Sequence, residues 1–147
     1  MKEKICVFCG HRRIGNIQQP VEEAIDRIIH EEGIRTFYTG NMGEFDRLCE
    51  GIIIRRRAKE NLRLCWIAPY NMKRINNERE WLEHTYDEIT IPDLGDIFYK
   101  QAIPQRNRWM VERASLLLCH VTHQSSGSWK TKKYAEKIGV PIWNINP

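Results

Sequence analysis

Apolar residues along the chain alternate between short continuous runs and longer stripes with helical spacing. Residues 4–9, KICVFC, form a β-prone run that ends at Gly10. Residues 18–32 place Val21, Ala24, Ile25, Ile28 and Ile29 at i, i+3, i+4, i+7 and i+8, the pattern of an amphipathic helix. Pro20 suits its first turn and Gly33 its C-terminal cap. A second strand is predicted over 34–40 and a helix over 43–60, with Phe45, Leu48, Cys49 and Ile52 facing inward. A third strand covers 62–70 and closes at Pro69, followed by a short helix at 77–87 and a short strand at 88–92. Residues 96–114 start irregular and become helical by about Gln105. The strongly apolar run 115–121 reads as a central strand, 128–139 as a helix capped by Gly139, and 140–145 as the last strand.

Strands that alternate with helices of this length argue for βαβ units and a parallel sheet. The predicted fold is α/β: a single-domain, Rossmann-like three-layer sandwich with a mostly parallel sheet, spanning residues 1–147. The apolar runs 52–54 and 116–119 fit elements covered on both sides. In such sheets a ligand crevice lies outside the carboxyl ends of the strands. That rule singles out the loops at 10–17, 40–43, 69–76 and 122–128.

Three of these loops are polar and glycine-bearing: CGHRRIGN, TGNMGEFD and THQSSGSWKT. Each runs toward a helix start, where free backbone N–H groups and the positive end of the helix dipole favour an anion. Gly40 and Gly43 also serve a tight strand-to-helix turn, and GNMG is neither a dinucleotide fingerprint nor a P-loop. Ser125, Ser126 and Ser128 are N-cap residues. In 104–114, PQRNRWMVERA, Arg106 and Arg113 share a helix face, and Trp109 and Met110 are expected to pack inward. An arginine near a helix start opposes the dipole, so Arg106 or Arg108 calls for an anionic partner: a ligand, or a carboxylate such as Asp46 or Asp96. Should the chemistry be cleavage of an N-glycosidic bond, Glu44 and Asp46 are the candidate carboxylates, with Glu112 on the later helix.

The charge balance is +4, with pI near 8.9, which is compatible with anionic ligands. No apolar run approaches the roughly 20 residues of a membrane span, and the N-terminus lacks a signal-peptide core. A cytoplasmic protein without membrane partners is expected, with the five cysteines Cys6, Cys9, Cys49, Cys65 and Cys119 reduced. Cys6 and Cys9 have odd spacing in a strand and should point to opposite faces, so no metal site is assigned despite His11, His120 and His123. No cofactor is assigned either.

The order CGHR, TGNMGEFD, QRNRWMVERAS, an apolar strand, then SSGSWKTKKYAEKIGVPIWNI resembles the SLOG superfamily over nearly the whole chain. That group joins the DNA-processing protein DprA to the LOG phosphoribohydrolases. The resemblance is closest to its bacterial YpsA/YoqJ-like branch, whose function is unknown. It implies a Rossmann-like fold with a nucleotide or nucleotide-derived ligand at the glycine-loop edge, and self-association as a dimer. Matching positions are His11, Arg12, Gly40, Gly43, Asp46, Arg106, Asn107, Arg108, Ser126, Gly127 and Thr131. Asn41 stands where the branch commonly has a second glycine, and Gly127-Ser128-Trp129 where it has Gly-Gly-Thr. The LOG stretch PGGxGTxxE is unmatched: Lys132 and Lys133 stand near the expected acid and Glu136 falls later.

Three functions follow as expectations. The first is binding of a nucleotide or related phosphorylated ligand, as in a sensor, with His11, Arg12, Gly40, Asn41, Gly43, Arg106, Asn107, Arg108, Ser126, Gly127, Ser128 and Thr131 lining the site. The second is phosphoribohydrolase-like cleavage of a nucleoside monophosphate by Asp46 or Glu44. The third is DprA-like binding of single-stranded nucleic acid through 55–59 and 130–133.

Overall fold

A computed structural model describes residues 3–145. Six strands form one sheet: β1 (Ile5–Gly10), β2 (Thr36–Thr39), β3 (Arg63–Ile67), β4 (Glu88–Thr90), β5 (Leu116–His120) and β6 (Ile142–Asn144). Their order is β4-β3-β2-β1-β5-β6, and every pairing is parallel. The helices are α1 (Gln18–His30), α2 (Glu44–Glu60), α3 (Lys73–Asn77), α4 (Arg79–Thr85), α5 (Ala102–Arg113) and α6 (Gly127–Ile138).

The three layers follow from side-chain alternation along the strands. Cys6, Phe8, Phe37, Leu64, Trp66, Leu116 and Leu118 point to one face and pack with apolar residues of α1, α2 and α3–α4. Ile5, Val7, Cys9, Cys65, Ile67, Leu117 and Cys119 point to the other face, against Met110 and Val111 of α5 and Ala135 of α6. Cys6 and Cys9 therefore lie in different core halves, as their odd spacing requires. All five cysteines are buried and free.

Where the strand order reverses, chain connections leave β1 and β5 in opposite directions. β1 and β5 pair in register, with Cys9 opposite Cys119 and Gly10 opposite His120. Their carboxyl ends form the switch-point crevice of this topology.

Two elements differ from the sequence pattern. The helix expected over 77–87 is α4, and a further short helix, α3, occupies the second half of the stretch read as a loop over 69–76; Glu78, at φ −118° and ψ 26°, leaves helical backbone between the two. The helix expected from about Gln105 starts at Ala102, preceded by a 3₁₀ turn over Tyr99–Gln101, with Pro104 in its first turn. Gly33 and Gly139 close α1 and α6 in left-handed conformation, at φ 67° and 83°. Ile52 and Ile53 of α2 are in the core and only Ile54 reaches the surface, so that segment presents little apolar area for a second copy. Among the described residues, no helix is long and apolar enough to cross a membrane.

Gly10 lets α2 approach the end of β1: a Cβ there would sit 2.3 Å from Cγ of Phe45, whose side chain is fully buried. Gly10→Ala should lower stability by about 1–3 kcal/mol through overpacking. Urea denaturation measures this, and an unchanged midpoint would contradict the contact.

Candidate functional site

The cavity at the switch point has a volume of about 420 Å³, within the usual range for small-molecule sites. Its wall comes from four segments far apart in sequence: the end of β1 with His11, Arg12 and Arg13; the β2–α2 turn with Gly40, Met42 and Asp46; α5; and the N-terminal end of α6 with the loop before it. From α5 come Ile103, Arg106, Asn107 and Met110, and from the α6 end come His123, Ser126, Gly127, Ser128 and Thr131.

Arg106 carries the centre of the site. It has no exposed surface. Its Nη1 donates to the carbonyls of Ile67 (2.6 Å) and Gly40 (3.3 Å), and its Nε donates to Asn107 Oδ1 (2.9 Å). Its Nη2 is buried without a partner. Burial, only partly offset by the charge of Asp46, lowers its pKa to about 10, so it stays protonated at neutral pH. Gly40 makes room for it, since a Cβ there would lie 2.9 Å from the guanidinium carbon.

Asp46 is the acidic counterpart. Its Oδ2 accepts the Met42 N–H (2.9 Å), a side chain in the first helical turn reaching back to a preceding amide. Its Oδ1 is buried without a partner. Burial raises its pKa from 3.8 to about 7; the Met42 amide pulls the other way, and the charge of Glu50 adds to the rise. Asp46 and Arg106 influence each other's charge, yet no oxygen–nitrogen pair between them is within 4.0 Å. Trp66 Nε1 is the other buried side-chain atom without a partner among the described residues, and it lies outside the cavity.

At the α6 end a chain of hydrogen bonds has a fixed direction. The Thr122 N–H donates to Nε2 of His11 (2.8 Å), which places the ring proton on Nδ1. Nδ1–H then donates to Ser128 Oγ (3.0 Å), and Ser128 in turn to Ser126 Oγ (3.1 Å). Ser126 Oγ also caps α6 by accepting the Trp129 N–H (3.0 Å). The Ser126 hydroxyl proton is thereby left to donate outward. The N–H groups of Gly127 and Ser128 open the helix and have no intrahelical acceptor. These three donors and the helix dipole make an anion cradle. His11 stacks on His123 at 3.9 Å; burial, then the neighbouring His123 and His120, lower its pKa. With both ring nitrogens engaged, His11 orients the cradle and is not poised as a base.

The cavity thus gathers His11, Arg12, Gly40, Asp46, Arg106, Asn107, Ser126, Gly127, Ser128 and Thr131. The other residues singled out in the sequence lie elsewhere. Glu44 accepts the Ile14 N–H (2.8 Å) and steadies the loop after β1. Gly43 lets that loop cross it, since a Cβ would lie 2.5 Å from Cα of Arg12. Asn41, in left-handed conformation at φ 54°, points away to Glu50, Tyr86 and Arg74. Arg108 is exposed and lies over the Tyr134 ring at 4.7 Å. Trp129 is half-buried against the α5–α6 core. Arg113 covers the Trp109 ring at 3.8 Å. The 69–76 loop does not line the cavity. Arg13, Met42, Ile103 and Met110 line it without having been marked by any sequence motif.

The basic stretches are largely paired. Arg55 bridges to Glu22, Arg56 to Asp26 and Glu60, and Arg57 to Asp87; Lys132 and Lys133 both reach Glu136. Residues 55–57 also lie toward the C-terminus of α2, at the opposite end of that helix from the cavity. Among the described residues no cluster of His, Cys, Asp or Glu could hold a metal ion.

No family model matches the chain, and no curated protein matches it in sequence. Solved structures do. The DNA processing protein A (DprA) of Streptococcus pneumoniae aligns with a TM-score of 0.68 and 16% identity, over 99% of this chain and 51% of that one. DprA of Helicobacter pylori, described for its single-stranded DNA binding mode, aligns with a TM-score of 0.68 and 15% identity, over 99% and 66%. The chain shares its fold with DprA. A molybdenum cofactor carrier protein from Chlamydomonas reinhardtii aligns with a TM-score of 0.60 and 11% identity, over 97% of this chain and 76% of that one. The chain spans between about half and two-thirds of the DprA chains it matches.

The ionisation of Asp46 makes stability depend on pH. Its folded pKa lies above its ordinary value, so its contribution is intact below pH about 3.8 and lost as pH rises through about 7. At about 1.4 kcal/mol for each pH unit, the loss is on the order of 4 kcal/mol above that window. Asp46→Asn keeps an oxygen for the Met42 N–H and removes the charge. The variant should be more stable than the parent at pH 8 and about equal at pH 4, as read from melting curves. A variant less stable at pH 8 would refute the burial of an uncompensated carboxylate.

Proposed function

We propose that the switch-point cavity binds a nucleotide or a nucleotide-derived phosphorylated ligand. One observation carries this reading: two buried, oppositely charged side chains each keep one hydrogen-bonding atom free, and both free atoms belong to residues lining one cavity. A buried polar atom left without a partner costs about 1–3 kcal/mol, so a fold that retains two at one place gains when a ligand satisfies them. The anion cradle of Ser126, Gly127 and Ser128 supplies the phosphate end. The exposed Arg12 and Arg13 at the rim add charge-assisted bonds. The DNA-binding DprA and the cofactor carrier support a binding role in general. The concave site and the ion-paired state of Arg55, Arg56 and Arg57 favour a small ligand over a strand laid along those residues.

Asp46 also supports a second reading, hydrolysis of the N-glycosidic bond of a nucleoside monophosphate. A carboxyl group that titrates near neutrality inside a ligand cavity has the properties of a general acid or base. Release of free base, lost in Asp46→Asn, would establish it, whereas binding without turnover would restrict the protein to the first role.

A thermal-shift series across nucleotides tests the main reading. A ligand at ~100 times its dissociation constant should stabilise the protein by about 2.7 kcal/mol. Arg12→Ala should weaken that ligand while leaving the melting temperature of the free protein unchanged, because the Arg12 side chain is exposed and makes no ion pair among the described residues. No shift with any nucleotide would refute the proposal.

A further inference from the structure

The loop after β1 meets α6 through one imidazole. His11 Nε2 accepts the Thr122 N–H at 2.8 Å, and His11 Nδ1 lies 3.0 Å from Ser128 Oγ. A backbone amide can only donate, so this geometry needs a lone pair on Nε2. A doubly protonated ring has donors on both nitrogens, and turning it over exchanges them without restoring an acceptor. Both nitrogens belong to one rigid ring, so withdrawal from Thr122 also displaces Nδ1 from Ser128. The residue is 8% exposed, which leaves little water to replace either partner.

The surroundings act in the same direction. His123 stacks on the ring at 3.9 Å, and His120 meets it edge-on at 6.0 Å. Burial first, then these two histidines, disfavour a charge on His11. Arg12 and Arg13 follow it in the chain, and Asp46 of α2 and Arg106 of α5 line the same cavity. The Cys9 thiol of β1 is kept neutral by burial. Among the described residues no carboxylate oxygen lies within 4.0 Å of the ring to compensate a positive charge. His123, by contrast, is exposed and lines the cavity, so a charge there would attract an anion.

Resting on the anion cradle of the reading above, we propose that His11 is a positioning residue whose charge gates the cavity. Its neutral ring holds the loop and α6 together around an anion. Its protonated ring releases Thr122 and Ser128, and the anion is lost in acid. A site built only on basic side chains behaves in the opposite way, since added protons strengthen its hold on an anion. Because the fold disfavours the charged ring, release falls below pH 6.5, the ordinary histidine value.

Sulfate is the probe, because its own charge is constant over the range used. Isothermal titration follows its binding to the parent and to His11→Gln, from about pH 7.5 down to the lowest pH at which circular dichroism shows both proteins folded. The glutamine amide keeps an acceptor for the Thr122 N–H and does not titrate. Dividing the parent's affinity by the variant's at each pH removes the titrations the two share, those of Asp46 and His123 included. That ratio should fall below pH 6.5, approaching about tenfold per pH unit once most of His11 is charged. A ratio that stays flat would overturn the gate and leave nucleotide binding intact. Absence of sulfate binding to the parent at every pH would remove the cradle itself, and with it the phosphate end of the nucleotide reading. If the variant does not fold, proton–nitrogen correlation spectra of the parent's histidine rings decide. His11 should carry its proton on Nδ1 near neutrality and gain the second at the pH where sulfate leaves. A ring that stays neutral while sulfate leaves would overturn the gate.

Discussion

A guanidinium with no exposed surface is tolerable only where carbonyls and carboxylates replace its water, and Arg106 shows where this fold provides them. It projects from α5 on one face and takes the carbonyls at the ends of β2 and β3. These carbonyls are free because both strands end there, and Gly40 has no side chain to block the approach. One side chain thus ties a helix to two strand ends and fixes the cavity wall. Isolated burial of a charge is strongly unfavourable. Those two carbonyls and Asn107 occupy two of the three guanidinium nitrogens, and the third is the part of the cation that the protein leaves for something else.

Asp46 and Glu50 are two buried acids that the fold satisfies to different degrees. They are four residues apart on α2, both buried, and share one side of the helix. Glu50 is fully engaged. Thr39 Oγ1 donates to it at 2.7 Å, Tyr86 Oη at 2.7 Å and Asn41 Nδ2 at 2.9 Å. Arg74 donates to Asn41 Oδ1 and closes the network. Buried polar groups that are all paired rigidify their surroundings, and here they hold the turn that carries the Gly40 carbonyl and the Met42 amide. Asp46 receives one of those amides and nothing on its second oxygen. Glu50 therefore supports the loop, and Asp46 faces the cavity that the loop helps to enclose.

Much of this was legible in the sequence, and the limits have physical causes. The strand and helix order followed from periodicity because each element buries one continuous apolar set. The convergence of the loops at 10–17, 40–43 and 122–128 followed from the parallel topology. The α2 stripe was harder to read: two of its buried positions are acids, so hydrophobicity marked Phe45, Cys49 and Ile52 but gave no sign that Glu50 was inside. Arg106 and Arg108 could not be separated by spacing alone. They are two residues apart and therefore point to different sides of α5, one into the cavity and the other onto Tyr134. Glu44 and Asp46 posed the same problem at the start of α2, and there the direction of each side chain decides. The contribution of His11 to the α6 cap depends on a contact across 117 positions, which no local pattern encodes.

That long-range contact is what makes the rim a single site. The loop after β1 is fastened to α6 by His11, through Thr122 on one ring nitrogen and Ser128 on the other. It is fastened to α2 by the Glu44 N–H on the Arg12 carbonyl and by the Glu44 carboxylate on Ile14. Arg12 and Arg13 sit between the two fastenings, so their backbone is held on both sides while their side chains stay free in solvent. Fixing the chain beforehand lowers the ordering entropy that binding would otherwise have to overcome. The proton direction set by Thr122 also fixes which way Ser126 donates. A neutral histidine is required for this, because a doubly protonated ring would turn a donor against the Thr122 amide. The lowered pKa of His11 and the outward direction of the Ser126 hydroxyl are therefore two results of one arrangement: a neutral histidine whose single ring proton is committed to Ser128.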